Sequence, residues 1–144
     1  MDSSLQRLHS SDTQSSLFQP HQIVCLDHGN AQLYAEVVQL VEIKHAYWVH
    51  PLVLRLRSPS ADPLTASICP PDFTLHDLRQ GADLVWPTTL FRAALDVEFI
   101  PLLSMLHTAE PLIEETAAAK LLARQLLNQF VRQMWQAHSE VFSA

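Results

Sequence analysis

Apolar residues come in short bursts through the first two thirds of the chain and at helical spacing through the last third. Ile23-Val24-Cys25-Leu26 is a β-branched run that stops at the turn-forming string Asp27-His28-Gly29-Asn30, and it predicts a strand. Two periods compete over residues 32–43. Leu33, Val37 and Val41 fit a helix face capped by Asn30, whereas Leu33, Ala35, Val37, Val41 and Ile43 fit strand alternation broken at Gln39. Three valines and an isoleucine decide for the strand.

Tyr47 to Arg57 (YWVHPLVLRLR) predicts the second arm of a long hairpin that turns near Lys44-His45-Ala46. Its even positions carry Trp48, Leu52, Leu54 and Leu56, and its odd positions Tyr47, Val49 and Val53 before Arg55 and Arg57. Pro51 cannot donate a ladder hydrogen bond, which assigns it to an edge or a bulge. A sheet buried on one side alternates with polar residues, and this strand does not. The C-terminal helix can cover one face. Barrel curvature or a partner must close the other, and Tyr47, Trp48, Arg55 and Arg57 are residue types typical of interfaces.

Ser58 to Pro63 reads as a loop and Pro70-Pro71 as a further break. Asp77 to Asp83 then leads into Leu84-Val85-Trp86, a last strand closed by Pro87. Thr88 or Thr89 is placed to cap a short helix through Leu95, and a second helix is expected over about 97–107 with Pro101 in its first turn. From Pro111 to about His138 the chain carries Leu122, Leu126, Leu127, Phe130, Val131, Met134 and Trp135 at helical spacing. Glu110, Glu114 and Glu115 crowd its start, as the helix dipole favours. Burying such a stripe is worth on the order of 10 kcal/mol before entropy is subtracted. The helix must therefore pack on the sheet, on another chain, or on both.

The fold expected is α+β: a small twisted antiparallel sheet or partly closed barrel, followed by two to three helices, the last long and amphipathic. Residues 1–20, rich in Ser and Gln, read as a flexible tail in which Leu17 and Phe18 are candidates for docking. Residues 21–144 read as a single domain, with its sheet over about 22–87 and its helices over about 88–138.

Composition narrows the chemistry. The 144 residues include only two glycines, Gly29 and Gly81. Walker loops, dinucleotide fingerprints and nucleophile elbows need several glycines close together, so all three are excluded. A net charge of -6 argues against nucleic acid, whose binders neutralise phosphates with basic patches. Tyr34, Tyr47 and Trp48 could stack bases, but only Lys44, Arg55 and Arg57 supply charge near the hairpin. All but Lys44 and Lys120 of the nine cations are arginines, which suit fixed contacts with protein. No secretory pattern opens the chain and no run approaches the roughly 18 apolar residues of a membrane span. A cytoplasmic setting with reduced thiols is expected.

Three constellations could carry chemistry. Cys25-x-x-His28 together with Cys69 and His76 offers thiolate and imidazole ligands for one zinc ion, although the second pair is widely spaced. Either cysteine could also act as a nucleophile beside a histidine, while the plainer reading is a small buried thiol. His76-Asp77 is similar to the metal-binding pair of a small metal-dependent hydrolase, without the helical core that chemistry needs. Asp96-Val97-Glu98 supplies two carboxylates at a helix start, where capping is the default role.

The strings LYAEVVQLVE (33–42), WVHPL (48–52), DLRQGADL (77–84), LFRAALD (90–96) and NQFVRQMWQ (128–136) together resemble short conserved cyanobacterial proteins of uncharacterised function. The resemblance covers about residues 22–142. It implies a cyanobacterial cytoplasm or peripheral thylakoid association, and it carries over no catalytic residue. The expected function is a non-catalytic binding or assembly module, an accessory factor to a photosynthetic or other large complex, contacting another protein or its own twin. The contact candidates are Tyr47, Trp48, Arg55, Arg57, Trp86, Phe130, Met134 and Trp135. The rival is a zinc- or thiol-dependent protein built on Cys25, His28, Cys69 and His76.

Overall fold

The computed structural model describes residues 17–57, 73–108 and 113–143. Strand β1 (Ile23–His28) turns through Gly29 into β2 (Ala31–Val41), and a single 3-10 turn over Glu42–Lys44 leads to β3 (Ala46–Arg57). Strands β4 (Phe73–Asp77), β5 (Leu84–Pro87) and β6 (Arg92–Ala93) follow, then helices α1 (Asp96–Thr108), α2 (Ile113–Ala137) and α3 (Ser139–Ser143). This is an α+β fold. Gly29 takes φ 55°, a left-handed turn conformation open to glycine at little cost, and His45 takes φ 50° at the other hairpin turn.

All pairings are antiparallel, and the order is β4-β3-β2-β1-β6. Strand β3 is long enough to hold two partners on one edge. Its end from Val53 to Arg57 pairs β4, and its start from Ala46 to Val49 pairs β5. Among the described residues β6 does not pair back to β4 or β5, so the sheet stays open.

Two register shifts decide which side chains share a face. Tyr34 pairs Val53 and Ala35 pairs Pro51, which leaves Leu52 as the extra residue beside the proline. Pro51 thus sits at a bulge, and the Leu52 carbonyl is taken by the Leu78 N–H at 2.9 Å. Val38 is the second extra residue, between the pairs Val37–Val49 and Gln39–Trp48. Strict alternation along β3 therefore fails. Tyr47 and Val49 share a face with Leu54, whereas Trp48 and Val53 lie on the other.

Helix α2 covers the first face. Ala123, Leu127, Phe130 and Met134 pack there on Val24, Leu26, Leu33, Val37, Tyr47, Val49, Leu54 and Trp86. Helix α1 covers part of the second, where Phe99 and Leu102 meet Cys25, Tyr34 and Val53. Large apolar residues on both sides of β3 near Val53 and Leu54 are thus explained within the chain by a helix on each face.

Several boundaries differ from expectation. No helix runs from Thr88 to Leu95; a 3-10 turn over Thr88–Leu90 gives way to β6. Strands β4 and β6 carry too few apolar residues to stand out in sequence. Helix α1 begins at Asp96, so Pro101 falls in its second turn rather than its first. The apolar seam of α2 is narrower than its sequence stripe, for Leu122 and Trp135 are exposed. Short α3 folds back so that Phe142 stacks on Trp135 (4.7 Å) and meets the Trp86 ring edge-on (5.3 Å). Phe18 docks on Tyr47, its N–H donating to the Tyr47 hydroxyl at 2.7 Å. The rest of the expected tail, residues 1–16, lies outside the described residues.

Candidate functional site

The second face of the sheet divides into two parts. One part lies beneath α1 and carries a polar network. Arg92, on β6 beside Cys25, donates to Asp27 at 2.5 and 3.2 Å and to Glu98 at 3.0 and 3.3 Å. Tyr34 donates its hydroxyl to Glu98 at 2.9 Å, and Gln32 donates to Asp27 at 3.1 Å. Arg55 donates to the Gln32 side-chain oxygen and lies over the Phe73 ring at 4.5 Å. Its Nε is buried without a hydrogen-bond partner among the described residues.

This network ties the first turn of α1 to three strands. Bonds from Arg92, working against burial, hold the Asp27 carboxyl below its ordinary range. Burial is the largest influence on Glu98 and opposes its charge, yet bonds from Arg92 and Tyr34 outweigh it and keep that carboxyl low as well. Asp27, then Glu98, holds Arg92 firmly protonated. Burial pushes the Tyr34 hydroxyl upward, and its bond to Glu98 adds to that. Asp27 and Glu98 are both paired with Arg92, while Arg55 meets only the neutral Gln32 and Phe73 among these partners. The arrangement is a clamp for α1.

Cys25 belongs to the same cluster. Burial, reinforced by Asp27, pushes its thiol up to about 12, which leaves it protonated and a poor nucleophile at neutral pH. His28 lies on the opposite face, with its ring edge-on to Phe130 at 6.4 Å. A strand turns residues i and i+3 to opposite sides, so Cys25 and His28 cannot ligate one ion here. Cys69 lies outside the described residues. Among the described residues no group of three or more His, Cys, Asp or Glu is placed to hold a metal.

The hydrolase pair is likewise split. His76 and Asp77 are neighbours on a strand and point to opposite faces. His76 bonds Thr74 at 3.1 Å, and burial holds it below its ordinary value. Both Asp77 oxygens are taken by Arg79, at 2.8 and 2.9 Å, and those bonds keep its carboxyl low.

The other part of the second face is open. Trp48 pairs Val85 across β3 and β5, with Val38 at the bulge of β2 on the far side. Trp48 is 38% exposed and Val85 47%. Ile43 stands almost fully exposed at the hairpin tip. The Trp48 ring is nonetheless fixed. Its indole N–H donates to Asp83 Oδ2 at 2.8 Å, and the other Asp83 oxygen meets His50 Nδ1 at 2.7 Å. His50 Nε2 meets the Arg79 carbonyl at 2.8 Å. Both ring nitrogens thus face oxygen atoms. The His50 bond is foremost in holding the Asp83 carboxyl below its ordinary range.

The proposed contact residues therefore separate. Tyr47, Trp86, Phe130 and Met134 are core residues of the first face and reach no surface. Arg55 is spent on the network under α1. Arg57 is exposed at the end of β3, beside the Gly29-Asn30 turn, and Trp135 is exposed on α2. Trp48 alone of the eight stands on the open part of the sheet. Val38, Val85, His50 and Asp83 escaped sequence reasoning, and the unbroken apolar character of Trp48-Val49 opposite Val85-Trp86 was the one signal for them. No helix among the described residues is long and apolar enough to cross a membrane. No protein-family model matches the chain, and neither a curated protein nor a solved structure matches it.

Proposed function

We propose that the protein is a non-catalytic binding module that holds another polypeptide against the open half of its second sheet face. One observation carries this reading: Trp48 is partly exposed among Val38 and Val85, yet is held in one orientation by Asp83 and His50. Binding energy concentrates on aromatic anchors that lose little freedom on contact. Fixing an exposed indole in advance serves contact better than it serves folding. The resemblance to short cyanobacterial proteins supports reading the module as an accessory factor of a photosynthetic or other large complex, with peripheral association at the thylakoid.

The test compares a tagged wild-type chain with a Trp48→Ala/Val85→Ser variant, both isolated gently from the source cells and weighed by native mass spectrometry. A second polypeptide or a second copy retained by the wild type and absent from the variant, at equal melting temperature, supports the reading. Equal retention by both chains rejects it. So does loss of binding that accompanies a fall in melting temperature.

A further inference from the structure

A cleft of about 280 Å³ separates the β4–β5 loop from α2. Its floor is apolar: Leu78 comes from the loop, and Ala123 and Leu127 come from the helix, all three buried. Lys120 and Arg124 stand on its rim, one helical turn apart and therefore on the same side of α2. Both are exposed, and neither makes a hydrogen bond or ion pair with a described residue.

Among the described residues one carboxylate lines the cleft, and it is already engaged. Asp77 gives both oxygens to Arg79, which also donates its backbone N–H to Oδ1 at 3.0 Å. Lys120 acts on Asp77 only as a minor electrostatic influence. Two uncommitted cations over an apolar floor are left, in a chain whose net charge is -6. The amide side chains of Gln80 and Asn128 add neutral donors at the rim. Ligand pockets of small molecules combine an apolar lining with a few convergent polar groups in this way, and run from roughly 300 Å³ upward. A cleft of this size suits a ligand of only a few carbon atoms.

We propose that this cleft binds a small amphipathic carboxylate. The carboxylate lies between Lys120 and Arg124, and a short apolar chain lies against Leu78, Ala123 and Leu127. Lys supplies a mobile point charge and Arg a planar fork, and together they neutralise one anion without displacing Asp77 from Arg79.

Titration calorimetry of the full chain at low salt tests the assignment with three probes: hexanoate, hexylamine and inorganic phosphate. Saturable hexanoate binding is expected, weakened about tenfold or more in Lys120→Gln/Arg124→Gln, the loss that follows removal of charge-assisted contacts. Both positions are exposed, so the variant should melt with the wild type. A Leu127→Met variant, which alters the floor while conserving volume, should shift hexanoate affinity without abolishing it. Absence of saturable hexanoate binding, equal binding by the double variant, or equal binding of hexylamine would each overturn the proposal. Phosphate binding as tight as hexanoate binding overturns it too, because the apolar floor would then contribute nothing.

Discussion

Trp48 and Asp83 lie 35 residues apart in the chain, and the indole N–H of the first donates to a carboxylate oxygen of the second at 2.8 Å. The pairing is possible because β5 lies beside the start of β3, which brings the residue before β5 level with Trp48 and His50. Asp83 thereby becomes the hub of an otherwise exposed patch. Asp83→Ala should release the ring. The Trp48 indole resonance, identified by its absence in Trp48→Phe, is expected to exchange with solvent faster in that variant. Because these groups are partly exposed, the stability cost should be about 1 kcal/mol. An unchanged exchange rate would mean that packing, not Asp83, holds the indole.

Arg92 is the corresponding hub beneath α1. Its guanidinium joins Asp27 on β1, 65 residues before it in sequence, to Glu98 in the first turn of the helix. Arg92→Ala leaves two carboxylates near one another with no cation between them, and a destabilisation of about 2 kcal/mol is expected, below the range for fully buried pairs because the group is 40% exposed. Hydrogen exchange should locate the effect. Amides of α1 should lose protection before those of α2, and uniform loss across both helices would count against a local clamp.

The same network sets the response to acid. Asp27 and Glu98 both have their folded values lowered from 3.8 and 4.5. A lowered value means that the folded state holds the proton less tightly than the unfolded chain does. Their stabilisation is therefore complete above those ordinary values and is lost as pH falls through and below them. Urea midpoints measured from neutral pH downward should drop through that window in the wild type. The drop should be shallower in Asp27→Asn, and identical slopes in the two chains would sink this account.

Much of the fold was legible because hydrophobic period is a local property. The strand choice for residues 32–43 follows from Val37, Val38, Val41 and Ile43, and the long C-terminal helix from its spacing. What failed was phase. The bulge at Leu52 puts Leu52 and Val53 toward the same cluster, so sorting β3 by even and odd positions mixes the two faces. Pro51 marked the place, but not the size of the slip. The polar network was hidden for a different reason. Tyr34 and Glu98 are 64 residues apart, and each of Asp27, Arg92 and Glu98 reads locally as a turn or helix-start residue. Only the topology makes them neighbours. The spacing of Cys25 and His28 does not by itself say whether they meet, because three residues bring side chains together on a helix and separate them on a strand.

Cys25 gives a prediction at the alkaline end. Its value is raised from 9.0 to about 12, first by burial, so the folded state holds the thiol proton more tightly than the unfolded chain does. The stability it contributes is complete below pH 9.0 and is lost as pH rises from there toward about 12. At neutral pH the native chain should leave Cys25 unmodified by iodoacetamide, as read by mass mapping of its peptide, and denaturant should expose it. Rapid alkylation in the native state would contradict a buried, protonated thiol.

Met134 and Trp135 are adjacent on α2 and have opposite roles. Met134 is buried in the seam against the sheet, while Trp135 is 55% exposed and touches Phe142 of α3. Met134→Ala removes buried volume that the sheet cannot collapse to fill, and should cost about 2–5 kcal/mol. Trp135→Ala removes one exposed ring and its stacking on Phe142, so a cost of about 1 kcal/mol is expected. Chemical denaturation of the two variants decides between the narrow seam 123–127–130–134 and the wider stripe that the spacing alone suggests. Comparable losses in both would mean that α2 is rotated toward Trp135. A large difference, with Met134 dominant, fixes the buried edge of the helix and leaves Trp135 as the anchor of α3.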